Sequence, residues 1–63
     1  MGKLLTFAKV IHELNETGYG ELAVKVVEAV ATEQIEDLSG NIFNVLCRIG
    51  HHTLANEFQS LLD

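Results

Sequence analysis

The chain contains an internal repeat, in which residues 10–30 align with residues 42–62 at a constant offset of 32 positions. Each copy has a leucine, a glycine four residues later, and a Leu-Ala pair four residues after the glycine. These landmarks are Leu14, Gly18, Leu22 and Ala23 in the first copy and Leu46, Gly50, Leu54 and Ala55 in the second. Apolar residues at helical spacing flank the landmarks, a pattern typical of two helices joined by a tight turn. The repeat therefore predicts two helical hairpins of the same design.

The first hairpin is predicted over residues 3–33. Its first helix runs from about Lys3 to Asn15, and its second begins near Gly20. The buried stripe is predicted to contain Leu4, Phe7, Ala8, Ile11 and Leu14 in the first helix and Leu22, Ala23, Val26, Val27 and Val30 in the second. Several of these are β-branched, which favours strands, but the strict alternation of a strand is absent. The helical interpretation is therefore preferred.

The second hairpin is predicted over residues 40–62, after an acidic connector at residues 32–40. Ile35 and Leu38 are expected to turn inward from the connector. Ser39 is a candidate N-cap of the third helix, Asp37 is its competitor, and Thr53 is expected to cap the fourth helix. The buried positions are predicted to be Ile42, Val45, Leu46 and Ile49, followed by Leu54, Ala55, Phe58, Leu61 and Leu62. The predicted fold is a single all-α domain over residues 1–63, a compact bundle of two helix-turn-helix hairpins with about four helices.

The length of 63 residues leaves little apolar core, so a domain of this size is marginally stable unless something reinforces it. Cys47 is the single cysteine, which excludes an internal disulfide. Self-association is the remaining common source of stability. The apolar residues of the first three helices also spread beyond one stripe, which predicts a homodimer interface. The predicted interface residues are Leu5, Val10, Val24 and Phe43, with Glu33, Glu36 and Asp37 setting its charge preference.

Cys47, His51 and His52 are the residues closest to a chemical motif. Structural zinc sites have two ligand pairs at diagnostic spacing, and Gly50 interrupts the helix between this cysteine and the histidines. A nucleophilic cysteine needs a positive, partly exposed environment, whereas Cys47 flanks an apolar stripe. No phosphate-binding loop or nucleotide fingerprint is present. We therefore expect no catalytic residue, no metal ligand and no cofactor.

The net charge of −5 argues against nucleic acid and anionic membranes as partners, because only four residues are Lys or Arg. No apolar run approaches the ~20 residues of a membrane span, and we expect a cytoplasmic location. The alternative function is DNA binding by a dimeric helix-turn-helix-like regulator, since each hairpin has helix, turn and helix. Asn56 and Gln59 would suit base recognition, but Glu57 lies between them.

From Met1-Gly2-Lys3-Leu4-Leu5 to Glu57-Phe58-Gln59-Ser60-Leu61-Leu62-Asp63, the chain resembles the small acidic helical proteins of temperate phage early genes. Within that group, the chain is similar in length and general sequence to the short open reading frame of the exo–xis region of lambdoid phages. It implies an accessory regulator of the host cell cycle or of lytic–lysogenic development, in the bacterial cytoplasm, and it carries over no functional residue. The predicted function is a non-enzymatic protein-interaction module that binds itself and an unidentified host or phage protein.

Overall fold

The computed structural model describes residues 2–62, which form four α-helices and one short 3₁₀ helix. The helices are α1 (Gly2–Glu16), α2 (Gly20–Ala31), α3 (Ser39–Arg48) and α4 (His52–Leu62), and the 3₁₀ helix spans Ile35–Leu38. No strand occurs in this part of the chain, and the molecule measures 25 × 22 × 20 Å. The all-α prediction is confirmed.

The core contains matching residues from the two copies of the repeat. Val10 and Ile42 are both fully buried, and so are their neighbours one helical turn later, Leu14 and Leu46. On the following helices the buried pairs are Ala23 with Ala55 and Val26 with Phe58. Each hairpin thus contributes one apolar face to a shared core, as the repeat predicts.

Three turns of the same type connect the helices. In each turn one residue adopts a left-handed backbone conformation, and the N–H group of the next residue donates to a carbonyl five positions earlier, which caps the helix end. The left-handed residues are Gly18 (φ 89°), Glu33 (φ 59°) and Gly50 (φ 87°). The capping bonds join Tyr19 to Leu14 and Gln34 to Ala29, both at 2.8 Å, and His51 to Leu46 at 2.9 Å. The two glycines of the predicted tight turns, Gly18 and Gly50, are therefore both left-handed.

The predicted acidic connector at residues 32–40 is mostly helical. After the turn at Glu33, the 3₁₀ helix leads directly into α3, so residues 35–48 match residues 3–16 of α1. Ile35 and Leu38 are partly buried and pack against the core, as expected. Ser39 is the first residue of α3 rather than its cap, and its hydroxyl donates to the Glu36 carbonyl at 2.8 Å.

The two hairpins meet where α1 packs on α4, while the 3₁₀ helix packs on both α2 and α3. At the α1–α4 contact, the rings of Phe7 and Phe58 lie edge to face with centroids 6.2 Å apart. His51 of the last turn also reaches α1, with 3.1 Å between its Nε2 and the Glu13 Oε2. This contact supplies the aromatic and polar links between the two halves of the molecule.

Four burial assignments from the sequence are wrong. Val10, predicted at the interface, is fully buried, whereas Leu4, Ala8 and Val27, predicted in the core, are exposed, Leu4 by 68% and Val27 by 51%. Thr53, expected to cap the fourth helix, lies inside α4 instead. The cause in α1 is its rotation about its axis, which turns Thr6, Val10 and Leu14 inward at intervals of four residues. The buried face of α1 is therefore displaced around the helix axis from the apolar stripe that the sequence predicts for this helix.

Candidate interaction surface

The first hairpin carries two rows of exposed or half-buried apolar residues. Leu4, Ala8 and Ile11 follow one another along α1 at intervals of four and three residues, so they share one face of that helix. Residues 24, 27 and 31 have the same spacing along α2. We call the six residues together the outer face: Leu4, Ala8, Ile11, Val24, Val27 and Ala31.

The two rows meet at the turn of the hairpin. Asn15 continues the α1 row and Gly20 begins the α2 row, since each lies four residues from its neighbour in the row. A Cβ atom placed on Gly20 would be 3.7 Å from Asn15 Oδ1, so the rows touch at this end of the hairpin. The outer face therefore consists of one exposed stripe from each helix of the first hairpin.

The outer face is open to solvent. Leu4, Val24 and Val27 are each more than half exposed, and Ala8 and Ala31 are also exposed. Ile11 is half-buried and packs against the edge of the core. No element formed by residues 2–62 covers this surface. Exposed apolar residues grouped in this way commonly mark an interaction site.

The second hairpin provides an internal comparison, because its core matches that of the first. The positions that match Leu4, Val24 and Val27 are occupied by Glu36, Asn56 and Gln59. These three polar residues are exposed, as are their apolar counterparts. The second hairpin therefore accepts polar residues at these three positions, and core packing does not require the apolar character of Leu4, Val24 and Val27.

The predicted interface residues do not lie on one surface. Val24 is part of the outer face, and Leu5, 59% exposed, follows Leu4 at its edge. Phe43, in the second hairpin, occupies the position that matches Ile11 and is half-buried against the core. Val10 lies in the core. The pattern of wide apolar faces identified Val24, but the remaining outer-face residues were assigned to the core or not singled out.

Of the predicted acidic residues, Glu36 and Asp37 lie in the 3₁₀ helix and Glu33 lies two residues before it, and all three are exposed. Glu33 and Glu36 line an open cleft of about 340 Å³ with Lys3, at the end of the molecule where α1 begins and α4 ends. Asp37 lines a different depression, beside Lys25 of α2. Acidic and basic side chains therefore share both places, and neither has the uniform charge of an ion-binding site.

A second cleft, of about 250 Å³, lies at the α1–α4 contact and contains most of the histidines. Its polar residues are partly paired: Lys9 Nζ lies 4.0 Å from Glu57 Oε2, in addition to the pair between His51 and Glu13. His12 also lines this cleft. These ion pairs join the two hairpins at the cleft.

Cys47 is half-buried against the core. Across residues 2–62, no three His, Cys, Asp or Glu side chains are grouped to hold a metal ion. None of the helices in this part of the chain has the length and apolar character needed to cross a membrane. No protein-family model, curated protein or solved structure matches the chain significantly.

Proposed function

We propose that this protein is a non-enzymatic interaction module that binds another protein chain through the outer face of its first hairpin. The observation that supports this proposal is the contrast between the hairpins at three equivalent exposed positions, where Leu4, Val24 and Val27 of the first are matched by polar residues in the second. A partner that buries the outer face accounts for this contrast, since the fold itself does not require it.

Helix stability argues in the same direction. Valine is a poorer helix former than Ala, Glu or Gln by roughly half a kcal/mol, because its branched side chain loses rotamer freedom. At Val24 and Val27 this loss is not repaid by burial in the core. Burying the exposed half of such a valine against a partner would contribute roughly 0.8 to 1.5 kcal/mol, which exceeds the loss.

Exposed acidic residues, including Glu33, Glu36 and Asp37, would set the charge preference around this contact and disfavour strongly acidic partners. The role of an accessory regulator in phage development, which the resemblance implies, is compatible with such a module and stays a prediction. The cytoplasmic location also stays a prediction.

Dimeric DNA binding is the second candidate, and one observation favours it. Asn56 and Gln59 are exposed along α4, and amide side chains of this kind recognise adenine in the major groove. Glu57 is also exposed between them, and the chain has nine acidic residues against four basic ones. Repulsion from phosphates makes this candidate weaker than the protein-interaction module.

Capture of partners from a bacterial lysate, with and without nuclease, tests the proposal. We expect a protein partner that survives nuclease treatment and is lost when Val24→Asn and Val27→Gln give the first hairpin the residues of the second. The matched control is Asn56→Gln with Gln59→Asn, which changes the equivalent positions of the other hairpin and should leave capture unchanged. Equal capture by the outer-face variant would contradict the proposal, and capture that depends on nucleic acid would favour DNA binding.

A further inference from the structure

We infer that two copies of this chain exchange hairpins, with the middle turn at residues 32–34 as the hinge. In the exchanged pair, the first hairpin of each copy packs on the second hairpin of the other, and α2, the 3₁₀ helix and α3 of one copy form one continuous helix. Three features carry the inference: the shared core of the hairpins, the backbone bonds of the middle turn and the conformation of Glu33. The outer face takes no part in the exchange, so the inference does not rest on the proposed function.

The surface between the hairpins identifies the partner. Both hairpins contribute fully buried residues to one core, and the halves meet where α1 packs on α4 and the 3₁₀ helix packs on α2. A second copy of the chain carries the same faces, so its second hairpin reproduces each of these contacts with the first hairpin of its partner. The three residues of the middle turn are all that separates the exchanged units. Exchange therefore keeps the packing of both units and alters only this turn.

The backbone hydrogen bonds of the middle turn have direct counterparts in a helix. In the turn, the N–H groups of Thr32, Glu33 and Gln34 donate to the carbonyls of residues 28, 30 and 29, with N···O distances of 3.0, 3.4 and 2.8 Å. In a continuous α-helix the same three N–H groups donate to residues 28, 29 and 30. All three side chains are exposed, so none leaves the core when the turn opens. Straightening the turn therefore costs these residues neither a backbone bond nor a buried contact.

Glu33 supplies a driving force for opening. Its left-handed conformation (φ 59°) is unfavourable for a residue with a Cβ atom, whereas a continuous helix would give it an ordinary right-handed conformation. Gly18 and Gly50 occupy the equivalent place in the turns inside the hairpins, and glycine disfavours a helix. Residues 21–39, which include the middle turn, contain neither glycine nor proline. Among the three turns of residues 2–62, the middle one is therefore best suited to become helical, and a short strained hinge of this kind favours exchange.

Measurement of the mass at rising concentration tests the inference. The purified chain would be warmed through its unfolding midpoint and cooled, so that hairpins can exchange, and then examined by sedimentation velocity. We expect the mass to rise from 6.9 kDa to twice that value between about 10 µM and about 1 mM and to stop there, because the exchange closes on two copies. Glu33→Gly should raise the dissociation constant by about a hundredfold, since it removes roughly a tenfold bias toward opening at each of the two hinges. Glu33→Gln is the matched control, because it keeps the Cβ atom and a good helix former, and it should dimerise as the wild type does.

The distance between two labels within one chain distinguishes exchange from the pairing of two closed copies. Spin labels on Glu21→Cys and Asn44→Cys, in a Cys47→Ser background diluted with an excess of unlabelled chain, report this distance by pulsed electron paramagnetic resonance. In a continuous helix the two positions lie roughly 35 Å apart along the axis, because each residue adds about 1.5 Å. The closed molecule measures 25 Å in its longest dimension, so the distance separates the two states.

A wild-type chain that remains monomeric at about 1 mM, or a dimer in which the distance within one chain stays short, would overturn the inference. A Glu33→Gly dimer as tight as the wild-type dimer would also overturn it, because the strained hinge would then contribute nothing. Val24→Asn with Val27→Gln should leave the dimer unchanged, since both positions are exposed and lie outside the exchanged surface. A dimer that is lost in this variant would belong to the outer face and would refute the exchange of hairpins.

Discussion

Glycine at position 33 should make the protein more stable, although the substitution removes an entire side chain. Glu33 is the one non-glycine residue with a positive φ among residues 2–62, and it occupies the same place in its turn as Gly18 and Gly50 in theirs. A left-handed conformation brings the Cβ atom of an L-residue close to the following carbonyl oxygen. The middle turn therefore carries backbone strain that the other two avoid.

The size of the effect follows from two opposing contributions. Relief of the left-handed strain contributes about 1 to 2 kcal/mol, and the greater freedom of glycine in the unfolded chain removes about 0.5 to 1 kcal/mol. The difference ranges from about zero to 1.5 kcal/mol, with a midpoint near 0.75 kcal/mol. For a domain of this size, a gain at that midpoint raises the temperature of half-unfolding by roughly 3 to 6 °C.

Thermal and urea unfolding followed by circular dichroism would measure the change, with Glu33→Gln as the matched control. Glutamine keeps the Cβ atom and the length of the side chain but removes the negative charge, which lies unfavourably at the C-terminal end of α2. The difference between the Gly and Gln variants therefore isolates the backbone contribution. In the opposite direction, Gly50→Ala should lower stability by about 1 kcal/mol, because a Cβ there meets no atom within 4 Å and the penalty is purely conformational.

A Glu33→Gly variant no more stable than Glu33→Gln would refute this account of the turn. It would mean that the left-handed residue is not strained in the folded chain, or that Glu33 makes a contact whose loss offsets the relief. If the Gly50→Ala variant were also as stable as the wild type, the stability of these turns would not depend on which residue occupies the left-handed position.

Two further predictions concern the core and the contact between the hairpins. Val10→Ala should lower the free energy of unfolding by about 1 to 3 kcal/mol, whereas Val24→Ala should leave the monomer within about 0.5 kcal/mol, because only Val10 is buried. Equal losses in urea unfolding at dilute concentration would show that the two valines occupy similar environments. A double-mutant cycle on Glu13 and His51 should give a coupling below about 1 kcal/mol that falls with added salt, since both side chains are partly exposed. A larger coupling, insensitive to salt, would contradict that expectation.

The internal repeat made much of this fold predictable. Leucine, glycine and Leu-Ala landmarks located both glycine turns and the helices around them, because glycine marks a left-handed position that other residues avoid. The middle turn has no such mark. Glutamate at position 33 gives no sign of a left-handed residue, so the sequence predicts an acidic connector where most of the stretch is helical. An atypical residue in a turn removes the signal that sequence inspection depends on.

Rotation of the helices was less predictable than their position. A helix with apolar residues around much of its circumference has no single stripe, and Leu4 is as apolar as Val10. The alignment of Val10 with Ile42, which was assigned to the core, would have settled the rotation of α1. The outer face was within reach of the same comparison, because Val24 and Val27 align with Asn56 and Gln59. The difference in residue type between aligned positions of the two repeats identifies the outer face, whereas apolar periodicity alone does not.

The short turns between successive helices have a consequence for the speed of folding. The two helices of each hairpin are neighbours in sequence, so most of their contacts close only small loops and require little loss of chain entropy. Docking of α1 on α4 is the step that joins distant parts of the chain, and the absence of proline removes the usual slow isomerisation. Refolding should therefore be complete within microseconds to milliseconds. A newly synthesised chain would then expose its core to other molecules only briefly.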